Sequence, residues 1–183
     1  MIRMASANTF YVPSSPHEGW AYICLCDKTG LVAIHSDYGS FAHVWLPAYR
    51  SEHLYAFLKG LNRDYFMGKM MGRDWMVPDT ARMAKSAKQI ILRARRDKEI
   101  DYRTAREDWW CADAIEGCSE IHEIVDAIST AETIGNFLWE QDIPYRPDQL
   151  GTRFWNEVWL KFVAALPNER WSDEGAQLSF DFS

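Results

Sequence analysis

The hydrophobic period of this chain changes once, near Pro47, and that change constrains its fold more than any other feature. Before it, apolar residues come in short runs that suit extended backbone. After it they recur every three or four residues, as on one face of a helix. Trp20–Asp27 and Leu31–Ser36 are expected to be strands joined by Asp27-Lys28-Thr29-Gly30, with Gly30 placed to accept a positive φ. Ser36-Asp37-Tyr38-Gly39 repeats the turn chemistry and leads into a third strand, Phe41–Leu46. The expectation is a short antiparallel three-stranded meander over 19–46. Trp20, Tyr22, Cys24 and Cys26 occupy one face of the first strand, and Ala21, Ile23 and Leu25 the other. Both sets are apolar enough that the pattern does not say which meets the core.

Downstream, Ser51 suits a helix N-cap ahead of Leu54, Phe57, Leu58 and Leu61, and a second short helix around Tyr65–Met70 should end at Gly72. Asp79 is placed to cap a helix of about five turns whose Met83, Ala87, Ile90, Ile91 and Ala94 share a stripe. Asp101 caps a further helix to about Glu116, and a third run begins at Ile121 and extends toward Trp139. Ile143–Pro147 is expected to be a loop, and Phe154, Val158, Phe162 and Val163 mark a last helix that stops before Pro167. The fold class is therefore α+β, with the meander packed against a mainly helical remainder over 51–166. The 183 residues, 48% of them hydrophobic and 14% aromatic, carry too much apolar surface for a disordered chain. They fit one α+β domain over 1–167, followed by a flexible tail, 168–183. No secretory signal or stretch of membrane-spanning length is legible, so the expected setting is the cytoplasm of a host bacterial cell, away from membranes.

Cys24, Cys26, Cys111 and Cys118 read as reduced thiols behaving as small hydrophobes. Cys24-x-Cys26 with His35 and His43 nearby falls short of a zinc quartet, and neither metal nor cofactor is expected.

The net charge of −6 is unevenly spread. Between Arg82 and Lys98 seven Lys or Arg face one acid, Asp97, whereas Glu107–Asp142 holds ten acids and no Lys or Arg. On a helical wheel Arg82, Lys85, Arg93, Arg95 and Arg96 lie opposite the Met83–Ala94 stripe. Such a face can track phosphates or meet an acidic partner; a solvated face paired with the acidic helices after it is the plainer alternative. Glu116, Glu120, Glu123 and Asp126 (with Glu132 beyond) recur near one helical turn and can imitate a phosphate rail, or be an ordinary solvated face.

His35 and His43 flank a turn carrying Ser36 and Asp37, residue types found in hydrolytic triads, but no nucleophile elbow, phosphate-cradling loop or His-Glu-x-x-His motif accompanies them. A catalytic role is not expected. A small hydrolase or nuclease stands as an alternative. Trp109, Trp110, Trp155 and Trp159 read as core or interface anchors. At the C-terminus, Gln177, Leu178, Phe180 and Phe182 form the pattern of a bacterial sliding-clamp-binding peptide, with the Gln amide for a polar subsite and three apolar side chains for a groove. A final strand packed on the meander is the structural alternative.

The stretch Gly19–Trp45, and above all Ile34-His-Ser-Asp-Tyr-Gly-Ser-Phe, resembles accessory proteins of tailed bacteriophages and prophages; the likeness continues through Phe57-Leu58 and Asp64-Tyr65. It implies no chemistry. It implies a context, because small phage accessory proteins often bind and redirect or block host machinery. The expected function is thus a non-enzymatic binding protein that inhibits or modulates a host nucleic-acid or defence complex, anti-CRISPR-like in action. Its partners would be a host protein or protein–nucleic-acid complex. Replication-associated recruitment to the sliding clamp is the alternative, and the oligomeric state is open.

Overall fold

The computed structural model describes residues 6–45, 54–135 and 143–167. The contacts of the chain divide it into two compact units, one of 1–75 with 148–183 and a second of 76–147.

The first unit is built on a four-stranded antiparallel sheet in the order β1 (Asn8–Val12), β2 (Ala21–Cys26), β3 (Leu31–Ser36), β4 (Gly39–Val44). The three expected strands are present, and β1 joins them at the edge with Tyr11 opposite Tyr22. The Asp27–Gly30 connection turns as expected, with Gly30 at φ 68° and its N–H donating to the Cys26 carbonyl. Of the two faces of β2, that of Ala21, Ile23 and Leu25 is buried, which settles the ambiguity of the alternation. Phe10, Val12, Val32 and Ile34 share the core with them.

Helices α1 (Leu54–Lys59) and α2 (Arg63–Met71) follow, with a 3-10 turn over Gly72–Trp75. The last helical run starts earlier than its apolar stripe suggests. It runs as α6 (Gln149–Phe154), a π-helical turn (Trp155–Trp159) and α7 (Leu160–Ala165), with Asp148 accepting from the Gly151 N–H as N-cap. The core against the sheet is aromatic. Phe66 stacks on Trp45 at 5.8 Å and on Trp159 at 3.9 Å between centroids, and Phe162 meets Phe10 at 5.3 Å.

The second unit begins and ends in a short ribbon, β5 (Met76–Pro78) paired antiparallel with β6 (Tyr145–Pro147). The expected loop at Ile143–Pro147 is thus partly a strand: Pro147 lies at its end, where its missing N–H costs no ladder bond. Between them lie α3 (Thr80–Arg96), α4 (Tyr102–Ile115) and α5 (Ile121–Ile128). Asp79 accepts from the Arg82 N–H and Asp101 from the Thr104 N–H, the two expected caps. The run expected to extend toward Trp139 leaves the helix at Ile128 and continues as turns to Gly135. This core is aliphatic, with Met83, Ala84, Ala87 and Ile91 of α3, Ala112 and Ile115 of α4, and Ile124 and Ile128 of α5. Small alanines on both α3 and α4 let their backbones approach. Among the described residues, no helix is long and apolar enough to cross a membrane.

Candidate functional site

In the first unit, a cavity of about 330 Å³ is lined by His17, Glu18, Gly19, Asp37, Tyr38, Leu150 and Arg153. Its polar groups are tied to one another. The Tyr38 hydroxyl accepts from the Gly19 N–H at 2.7 Å and donates to Glu157. Arg153 donates to both Glu157 oxygens, at 2.9 and 3.3 Å, and to the His17 carbonyl at 3.2 Å. These bonds, Arg153 first and Tyr38 second, hold the Glu157 carboxyl below its ordinary range, while burial and then Glu157 push the Tyr38 phenol up. Glu18 pairs with Lys161 and Ser15. Gly19 is required here, because a Cβ would come within 2.7 Å of the Tyr38 ring. The arrangement fastens the 15–19 loop and the β3–β4 turn to α6, and it leaves little for a ligand to satisfy.

The residues that suggested a hydrolytic site are not brought together. His35 is exposed on the outer sheet face, its Nδ1 2.8 Å from Ser40 Oγ, whereas His43 lies opposite Val32 on the core-facing row. Ser36 Oγ donates to the Gly39 carbonyl and accepts from the Tyr38 N–H, and Asp37 accepts from the Trp20 N–H. Both side chains are thereby turn devices. Cys24 and His43 also point to opposite faces, and among the described residues no cluster of three or more His, Cys, Asp or Glu side chains is placed to hold a metal ion. The outer face carries Tyr11, Trp20, Tyr22 and His35 in mutual contact, with Tyr11 and Tyr22 half exposed. Trp20 meets both Tyr22 and His35 edge to face, so these rings cover one another as a cross-strand ladder rather than offering a flat platform.

The second unit is different in character. On α3 the buried residues Thr80, Met83, Ala84, Ala87, Ile91 and Ala94 form one stripe. At about 100° per residue, Arg82, Lys85, Arg93 and Arg96 fall on the opposite side, whereas Arg95, seven residues from Lys88, lies at the margin of the buried stripe rather than opposite it as expected. All five are exposed. The ridge from Arg82 to Arg96 spans about 21 Å at 1.5 Å per residue. Arg93 approaches Asp97 at 3.8 Å, while Arg82, Lys85, Arg95 and Arg96 make no ion pair among the described residues. Lys88, nearer the core stripe, does pair with the helix that follows. Its Nζ is 2.5 Å from Asp113 and 3.3 Å from Glu116, and Asp113 above all raises its pKa.

The acidic set is partly spent locally. Glu116 holds Lys88, and Glu123 Oε2 accepts from the Ser119 N–H, Ser119 Oγ and the Glu120 N–H, which keeps its carboxyl below the ordinary range. Glu120 and Asp126 remain exposed.

Of the four tryptophans singled out, Trp155 and Trp159 are core residues, Trp109 is half-buried beneath Lys88, and Trp110 is 58% exposed with the Arg106 guanidinium 4.7 Å from its ring. Tyr102, on the same face of α4, is 69% exposed. Spacing marks Trp110 as an anchor; Tyr102 and Arg106 carry no such signal, because two exposed aromatics eight residues apart leave no apolar stripe. Gln177, Leu178, Phe180 and Phe182 lie outside the described residues.

These features define an α+β protein. The chain belongs to a phage family: the model of that family, Phage_phiTE_072, matches residues 2–166. A comparison with curated proteins and one with solved structures each returned no match.

Proposed function

We propose that this member of the phage family is a binding protein without chemistry of its own, which inhibits or modulates a host nucleic-acid or defence complex by docking through the α3 ridge. The observation that carries the reading is the exposure of Arg82, Lys85, Arg93 and Arg96 on the side of α3 opposite its buried stripe. A cationic row some 21 Å long, in a chain of net charge −6, attracts polyanions locally while the rest of the surface repels them. That combination favours a specific anionic partner over indiscriminate adhesion. The relation to a phage family supplies the host context.

The test is a comparison of the protein with a variant carrying Arg82, Lys85, Arg93 and Arg96 reversed to Glu. The native protein, expressed in the host, should alter the plating efficiency of an unrelated phage and retain a host complex on affinity capture, with retention falling as salt rises. The reversed variant, with an unchanged circular dichroism spectrum, should do neither. Equal retention and equal plating by the two proteins would refute the reading.

A further inference from the structure

We infer that the α3–α4 hairpin is a binding surface for single-stranded nucleic acid, on which the α3 ridge follows the phosphates while Tyr102 and Trp110 of α4 stack with bases. The inference rests on the reading of that ridge as a recognition surface and names what it recognises.

Charge gives the sign of the ligand. From Thr80 to Arg106 there are nine Lys or Arg against Asp97, Glu99 and Asp101. Asp101 is occupied with the Thr104 N–H at the start of α4, and Asp97 leans on Arg93. Side chains three and four apart on a helix stand about 5–6 Å from one another, so Arg82 with Lys85 and Arg93 with Arg96 make two close cationic pairs on one line, about 12 Å apart. A polyanion that carries charge all along its length can meet both pairs at once.

The aromatic residues decide between strand and duplex. Tyr102 and Trp110, 69% and 58% exposed, are large rings that a stable surface would otherwise cover. They share the side of α4 opposite its buried Asp108, Ala112 and Ile115, and Arg103 and Arg106 stand between them. The Arg106 guanidinium over the Trp110 ring, 4.7 Å from its centroid, makes a unit of planar cation and aromatic face. Bases in a duplex are stacked on each other and cannot use such a ring, whereas unstacked bases can. The Arg93–Arg96 part of the basic set and the rings belong to one end of the hairpin. The Lys88–Asp113 pair sets the antiparallel register, and counting along both helices from it puts Arg95 at about the level of Arg106. The Arg93–Arg96 end of the phosphate line and the stacking rings therefore share one end of the hairpin, and cations with exposed rings are the combination that single-strand binders use.

The experiment measures binding of the full-length protein to labelled oligo-dT and to a duplex of equal length, by fluorescence anisotropy over a range of salt concentrations. Oligo-dT should bind more tightly than the duplex, and the logarithm of its affinity should fall linearly with the logarithm of salt, by about 0.7 per phosphate contact. Arg93→Gln with Arg96→Gln should flatten that slope by about 1.4. Trp110→Ala and Tyr102→Ala should each weaken binding about fivefold or more with the slope nearly unchanged, and Trp110→Phe should restore most of it. All are exposed positions, so melting temperatures should match the parent. Preference for the duplex, or native affinity in both alanine variants, overturns the inference. If no nucleic acid binds while the four-residue reversal still abolishes host capture and the plating effect, the partner is an acidic protein: the inference fails and the reading beneath it stands. If the reversal also leaves capture and plating intact, both fall.

Discussion

His43 shows how position on a strand converts a familiar residue type into something other than a catalyst. It sits on the core-facing row of β4, with its ring centroid 4.5 Å from that of Trp45. Burial first, and the charge of Lys69 second, push its pKa below the ordinary 6.5. The fold thus favours the neutral imidazole. Below about pH 6.5 the unfolded chain takes up a proton that the folded chain refuses, so the stability His43 contributes is complete above that pH, declines as pH falls toward the depressed folded value, and is flat below it. Urea melts from about pH 7.5 downward should show the native protein losing stability relative to His43→Asn as the pH falls below about 6.5. A difference that stays constant across that range would show that the ring titrates as it does in water. His35, one strand away, lies on the exposed face. The sequence presents the two histidines as a pair around a turn, and only the parity of their positions in the sheet, set by the Ser36–Gly39 register, separates them.

At the level of elements, the second unit depends on a contact between α4 and the turns after α5 that no periodicity reveals. Asp108, 2% exposed in the middle of α4, accepts from the backbone N–H groups of Glu132 at 2.9 Å and Thr133 at 2.7 Å. These bonds hold the turns after α5 against α4 and satisfy donors in a segment that has left the helix. Asp108→Ala should therefore cost about 2–4 kcal/mol in denaturant unfolding, because two amide donors lose their acceptor in a partly buried setting. Asp108→Asn should cost less, since one side-chain oxygen remains. A cost below about 0.5 kcal/mol for the alanine variant would mean that water replaces the carboxyl freely. The same unit shows what was legible and what was not. Asp79 and Asp101 announced their helices because an N-cap is a local device, a side chain reaching an N–H three residues on. The end of α5 was not legible because Asp108, its stabilising partner, is more than 20 residues away in the chain. β1 and β6 escaped for a related reason: five and three residues hold too few alternating positions to signal a strand, and each depends on a partner elsewhere for its definition.

On the scale of the whole molecule, the second unit is an insertion whose two ends meet. Trp75, the last residue before it, accepts through its carbonyl from the N–H of Asp148, the first residue after it, at 2.8 Å. Among the described residues, the aromatic core of the first unit draws none from 76–147, and the aliphatic core of the second draws none from outside it. A period change near Pro47 separates strands from helices, but it carries no mark of this division, because both units contain helices of the same period and differ only in what fills their cores. Since the hydrogen-bonded ends already lie side by side, replacing 76–147 by a short glycine linker closes a small gap at little entropic cost. The shortened protein should unfold cooperatively, with a smaller helical signal and a near-ultraviolet dichroism retained from Trp45, Phe66, Trp155 and Trp159. It should have no affinity for oligo-dT. The excised segment 76–147, expressed alone, should be helical and retain that affinity, because Arg93, Arg96, Tyr102 and Trp110 are all within it. If the shortened chain yields a molten state without near-ultraviolet signal, the two cores are not independent, and 1–167 folds as one cooperative body despite their separate composition.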